Sequence, residues 1–198
     1  ANPRDVARRV HSATSDAALE RYLEATKDLD DPLSILDAKA GGLANVSVRD
    51  LSPQITVDAP VLIPDTYVPD LDLRMGLYRR LNELETVQEI EAFGAEMIDR
   101  FGKLPEPTEN LLTLIQIKLN AKTAHIAKID VGPRGALVAF WNDTFPKVDG
   151  LLAYVARLGD TAKLRPDMRL SITRAWADPK ARLHGILQLS RGLAKVAG

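Results

Sequence analysis

Between Pro107 and Leu119 the chain carries apolar side chains on nearly every side of a helical axis: Leu111, Leu112, Leu114, Ile115, Ile117 and Leu119. A surface helix confines its apolar residues to one stripe, because its opposite face must meet water. A helix without a polar face has to be covered on several sides. This segment is therefore expected to be the central helix, and the fold is whatever surrounds it.

What surrounds it changes period along the chain. On the N-terminal side, Val61-Leu62-Ile63-Pro64-Asp65-Thr66-Tyr67-Val68-Pro69 cannot be helical, because two prolines five residues apart force an extended or turning path. Asp70 then suits the cap of a helix with Leu73, Leu77, Tyr78, Leu81 and Leu84 on one face. Thr86 and Glu89 have capping-box spacing, which predicts a second helix from about Val87. Its apolar residues Val87, Ile90, Phe93, Met97, Ile98 and Phe101 recur at helical spacing, and Gly102 offers a left-handed stop.

Beyond the central helix the period falls to two. Ile126–Val131 and Ala136–Trp141 flank Gly132-Pro133-Arg134-Gly135, a strand-turn-strand pattern. A helix from about Pro146 is expected to face Val148, Leu151, Leu152, Val155 and Leu158 inward. Leu164-Arg165 and Arg169–Thr173 bracket Pro166-Asp167 as a shorter hairpin. Asp178-Pro179 opens a last helix carrying Leu183, Ile186, Leu187, Leu189 and Leu193, with Asp178 and Arg182 spaced for a local pair. The order predicts an α+β fold in which helices pack on a small, largely antiparallel sheet made of two hairpins.

Residues 1–60 read differently. Asn2-Pro3, Ser15-Asp16 and Asp31-Pro32 each suit a helix start, and Gly41-Gly42 suits a stop, so the segment is expected to be mainly short helices. Asn45–Pro60 alternates Val46, Val48, Ile55 and Val57 but contains Pro53 and Pro60, which points to a linker or an edge strand. A domain boundary is expected near residue 60, dividing an unassigned 1–60 from a domain at 61–198. The absence of Met at position 1 leads to the expectation of a piece trimmed from a longer protein.

Composition narrows the classes of function. With 45% hydrophobic and 27% charged residues the chain has the balance of a self-supporting globule. It has no cysteine, which excludes disulfides, thiolate metal sites and cysteine nucleophiles, and which fits the cytoplasm. No apolar run approaches the roughly 18 residues that span a bilayer, so no membrane partner is expected. The net charge of −1 hides an uneven spread: residues 131–198 hold 11 basic and 5 acidic side chains, while 1–130 are acidic.

The chemistry-bearing motifs are absent. The single Gly-Lys pair, Gly102-Lys103, follows a helix and precedes Leu104, so it is a helix stop rather than a phosphate loop. No G-x-G-x-x-G or G-x-S-x-G occurs. His11, His125 and His184 are far apart, without the spacing of a metal site. Asp31, Asp70 and Asp178 have a sufficient task as caps. The chain is therefore not expected to be an enzyme, and no catalytic, cofactor-binding or metal-binding residue is assigned.

Two surfaces remain as candidates for binding. On the second helix Glu89, Glu96, Asp99 and Arg100 project away from the apolar stripe, and Glu96 and Asp99 are adjacent. Such a face is either simply solvated or docks an arginine-bearing partner through carboxylate–guanidinium pairs. The other is the basic last third, with Arg157, Lys163, Arg165, Arg169, Arg174, Lys180, Arg182, Arg191 and Lys195. It offers an alternative reading as a nucleic-acid-binding module, although its aromatic residues do not alternate with the basic ones.

Two stretches carry a family resemblance. Leu62–Asp70, with Arg74 and Leu77-Tyr78-Arg79-Arg80, and then Glu96-Met97-Ile98-Asp99-Arg100-Phe101-Gly102-Lys103-Leu104-Pro105-Glu106-Pro107 with Asn110-Leu111-Leu112, resemble the C-terminal domain of the bacterial transcription-repair coupling factor. The resemblance covers about 61–198 and weakens after Ile129. Members of that family are ATP-driven DNA translocases that release stalled RNA polymerase and recruit the repair protein UvrA. The motor domains are missing from this chain. The resemblance implies a non-catalytic regulatory domain that packs on the UvrB-like N-terminal module of the same protein and masks the UvrA-binding surface. It places the acidic contacts of that clamp on Glu96 and Asp99. UvrA and RNA polymerase would then be indirect partners, direct DNA binding is not expected, and the location would be cytoplasmic.

Overall fold

A computed structural model describes residues 52–198, and the expectations for short helices upstream fall outside that range. Local capping chemistry sets the first boundaries. Asp70 accepts a 2.7 Å bond from Leu73 N and opens α1, Leu71–Asn82. Thr86 and Glu89 form the reciprocal capping box that opens α2, Val87–Phe101. Pro107 lies in the first turn of α3, Glu106–Thr123, where its missing N–H costs nothing. After the hairpin β2 (Ile126–Gly132) and β3 (Gly135–Phe140) come α4, Val148–Leu158, and the short strands β4 (Ala162–Leu164) and β5 (Leu170–Thr173). Asp178 caps α5, Pro179–Ala197, through a 2.8 Å bond from Ala181 N.

The sheet is larger than two hairpins. Gln54–Thr56 form a strand, β1, that pairs in parallel with β2, so the order is β1-β2-β3-β5-β4. All other pairings are antiparallel, and β3 pairing with β5 joins the two hairpins into one sheet. β1 is an edge strand, as the flanking prolines require. β1 thus lies just upstream of the boundary expected near residue 60. Its contacts are tertiary: β1 finds its ladder on β2, and Asp58 just beyond it is held by Arg182 of α5, whose Nη1 lies 3.4 Å from its carbonyl and 3.8 Å from its carboxylate.

α3 is the central helix, and two apolar clusters meet along it. Leu111 and Ile115 join Ile63, Val68, Leu77, Leu81, Ile90, Phe93 and Met97. One turn on, Ile117 and Ala121 join Ile129, Val138, Leu170, Ile186 and Leu193 of the sheet and α5. α3 packs most extensively against α5, and the sheet lies beside this pair. The apolar all-round pattern of α3 is thus divided between two sets of neighbours.

The proline-interrupted stretch 60–69 has no ladder to satisfy its backbone, so a turn at Pro64, a bond from Leu62 N to Pro107 O and several side chains do so instead. Ile63 N donates to Tyr78 Oη at 2.7 Å, and Leu62 O accepts from Thr108 Oγ1 at 3.1 Å. Asn110 Nδ2 donates to Pro60 O at 3.0 Å. Arg74, buried to 2% exposure, donates from Nη1 to Val68 O at 2.6 Å and Pro69 O at 3.0 Å. This strap spans α1 and α3 and fixes where α2 lies.

Three local readings are corrected. Val148 and Leu152 do not face inward; they are 46% and 50% exposed, because α4 is covered only along Leu151 and its neighbours by α5 and β4. Ile98 lies off the buried line Ile90–Phe93–Met97 and is 50% exposed. Asp178 and Arg182 do not pair: the Asp178 carboxylate is used as a cap, and Arg182 turns inward to Trp176 O and Ala177 O, both at 2.9 Å.

Candidate docking face on the second helix

The outer side of α2 owes its position to both of its ends. The capping box fixes the start, where Glu89 accepts from Glu85 N at 2.7 Å and Thr86 N at 3.1 Å. Those backbone N–H groups hold the Glu89 carboxyl below its ordinary range. At the far end the Tyr67 hydroxyl lies 3.0 Å from the carbonyl of Met97 and 2.8 Å from that of Gly102, just past the last turn. Gly102 ends the helix at φ 88° and ψ −166°, a region open essentially to glycine and more extended than the left-handed stop that the sequence suggests. Glu89 is consequently a structural cap, engaged through Oε2.

Glu96 and Asp99 sit together on the exposed side, but in unlike surroundings. Glu96 is already engaged. It accepts two bonds from Arg80 of α1, at 2.8 Å from Nη1 and 2.6 Å from Nη2, and a third from Arg100 at 2.9 Å. The two guanidinium groups pull its carboxyl down to about 2, Arg80 first and Arg100 second. Both arginines also lie over rings, Arg80 over Phe93 at 5.1 Å and Arg100 over Phe101 at 4.9 Å, which fixes the cluster on the helix. Asp99 is exposed and makes no side-chain hydrogen bond or ion pair among the described residues. Beside it lies exposed Ile98.

What the face offers is therefore a free carboxylate next to an apolar side chain, flanked by a fixed Arg–Glu–Arg cluster. Carboxylate, apolar contact and guanidinium together suit protein recognition. The Glu96–Arg100 pair is legible from i,i+4 spacing. The Arg80 contact, sixteen residues away and dependent on how α1 meets α2, is not.

Several cations of the basic last third are already engaged. Arg182 is buried and bonded, and Arg165 and Arg169 share Asp167 at 3.9 and 3.8 Å. Among the described residues no three potential metal ligands come together, and no helix is long and apolar enough to cross a membrane.

Comparison with known proteins agrees with this architecture. The TRCF domain matches residues 57–151. The chain is 38% identical over 133 residues to the transcription-repair-coupling factor of Rickettsia conorii, covering 67% of this chain and 12% of that protein. It is 28% identical over 179 residues to the transcription-repair-coupling factor of Escherichia coli, covering 89% of this chain and 15% of that protein. The chain thus spans less than a sixth of the length of either relative. Among solved structures, a crystal structure of the C-terminal domain of transcription-repair coupling factor superposes with a TM-score of 0.63. That match covers 74% of this chain and 94% of the other at 16% identity, and it shows the shared fold.

Proposed function

This chain carries a transcription-repair coupling factor domain, and from that premise we propose that it is the regulatory, non-catalytic interaction domain of such a factor. It docks through the outer face of α2 on the UvrB-like N-terminal module of the same protein. Docking covers the surface that binds UvrA, so the closed form is autoinhibited in transcription-coupled DNA repair. UvrA and RNA polymerase are partners only through the whole protein, which works in the cytoplasm. The domain spans about residues 61–198, with β1 adding an edge strand to its sheet.

The observation that supports this reading best is the unpaired Asp99 carboxylate beside exposed Ile98. A charge that no residue of its own domain satisfies is available to a basic partner. Glu96 contributes differently from Asp99: it orients Arg80 and Arg100, so a partner meets a preset pattern of charge rather than mobile side chains.

The test is charge reversal in the intact coupling factor. Asp99→Lys alone should loosen the closed form and raise affinity for UvrA. Glu96→Lys should do so too, with added loss from the released arginines. Unchanged UvrA affinity in Asp99→Lys would refute the assignment of this face.

A further inference from the structure

A cleft of about 230 Å³ lies between α4, β5 and α5, in the half of the domain remote in sequence from α2. Tyr154 and Trp176 form two of its walls. Both rings rest directly on the backbone of α5: a Cβ at Gly185 would collide with the Trp176 indole, and one at Gly192 with the Tyr154 phenol. The Trp176 wall is pinned by its own backbone, since Trp176 N donates to Pro133 O at 2.9 Å and Trp176 O accepts from buried Arg182. The cleft is thus preformed, with glycines at two successive points of α5 where larger residues would push the rings away.

One of its polar side chains is used, since Thr161 Oγ1 donates to Leu158 O at 2.7 Å, and the others are not. The Arg174 guanidinium, the Trp176 indole N–H, the Gln188 amide and the Tyr154 hydroxyl make no hydrogen bond among the described residues. Arginine and tryptophan can only donate, so what is missing is an acceptor. Outside the lining, the Arg157 guanidinium lies 5.6 Å over the Tyr154 ring. No carboxylate lines the cleft.

Size decides between a small molecule and a side chain. Pockets for cofactors and drug-sized ligands run to about 300–1,000 Å³, and this one is smaller. It matches the pockets in which a protein partner seats one large anchor residue. Single-stranded nucleic acid would want successive open ring faces, whereas here the hydroxyl end of Tyr154 packs on Gly192 and the Trp176 indole on Gly185.

We propose that this cleft docks an acidic segment of a partner protein, taking one large apolar side chain between Tyr154 and Trp176 and a neighbouring carboxylate on Arg174. It is a second interaction surface, independent of the α2 face. Because Leu189 and Ile172 at its floor also belong to the sheet-side core, occupancy stiffens the α4–α5 corner.

The probes are acetylated pentapeptides with a central Leu or Phe flanked by Asp, titrated into the 198-residue chain and followed by NMR. Binding should move the Trp176 indole N–H and the Gly185 and Gly192 amides, with a dissociation constant below about 1 mM. Arg174→Glu, an exposed and unpaired position, should weaken binding by at least about tenfold, in line with loss of one charge-assisted hydrogen bond. Asp99→Lys should leave it unchanged, which separates this site from the α2 face. The proposal fails if Lys-flanked peptides bind as tightly. It fails equally if an oligothymidylate shifts these signals and the acidic peptides do not, or if nothing shifts them at millimolar peptide.

Discussion

Arg74 shows how one buried charge can hold a segment that has no secondary structure. Its guanidinium spans Val68 O and Pro69 O, two carbonyls that the prolines deprive of ladder partners. Arg74→Met keeps most of the volume but leaves those acceptors unbonded away from water. Each such loss costs about 1–3 kcal/mol, so the variant should unfold about 2–4 kcal/mol more easily in urea, with the midpoint shifted and the slope preserved. Glu96 gives the complementary case at the surface. Its folded carboxyl titrates at about 2, below the unfolded value of about 4.3. A lowered value means stability that is present above the unfolded value and is lost as pH falls from about 4.3 through about 2. Because the three side chains are 35–47% exposed, the contribution is small, about 0.5–1 kcal/mol. A carbon-detected NMR titration should place the Glu96 midpoint near 2, and Arg80→Gln should raise it. A midpoint already in the usual carboxylate range would show that the Arg80–Glu96–Arg100 cluster does not persist in solution.

Among the elements, α2 carries the clearest prediction because its end depends on one residue. Gly102 sits at φ 88°, ψ −166°, and its N–H closes the last turn on Ile98 O at 2.9 Å. Gly102→Ala forces a Cβ into that conformation at a cost of about 1–3 kcal/mol. Part of that strain should be relieved by fraying the last turn, where Asp99 and Arg100 sit. Hydrogen exchange should therefore quicken at residues 98–102 before it changes in α3 or the sheet. Equal protection across α2 in the variant would argue that the Tyr67 contacts alone hold the end. Much of this was legible in the sequence because it is local. A cap bonds a backbone group three residues away, so Asp70, Thr86 with Glu89, and Asp178 announce their helices. What was not legible crosses elements. Arg182 holds Asp58 at a separation of 124 residues, and Arg80 meets Glu96 only because α1 and α2 pack side by side. The stripes of α4 and α2 were read too wide for the same reason. Spacing marks Val148, Leu152 and Ile98 as apolar, but only the neighbours decide whether that side of a helix is covered.

At the scale of the whole molecule, α3 decides whether the two apolar clusters behave as one folding unit. Leu111 and Ile115 belong to the cluster with the strap and α2, and Ile117 and Ala121 to the cluster with the sheet and α5. A helix in a protein draws most of its stability from packing rather than from its own hydrogen bonds, so loss of one cluster should expose part of α3, Glu106–Thr123, and undermine the other. The prediction concerns cooperativity as well as magnitude. Leu81→Ala, far in sequence from the sheet, and Leu170→Ala, within it, should each cost about 2–5 kcal/mol. Tryptophan fluorescence reports on the sheet side, since Trp141 and Trp176 both lie there, whereas far-UV circular dichroism is weighted by the helices, five of them among the described residues. In both variants the two signals should fall together in one urea transition. If Leu81→Ala instead lowers helicity first while fluorescence holds, the α1–α2 half can open on its own. The outer face of α2 would then move independently of the α4–α5 cleft, and a partner could release one surface while keeping the other.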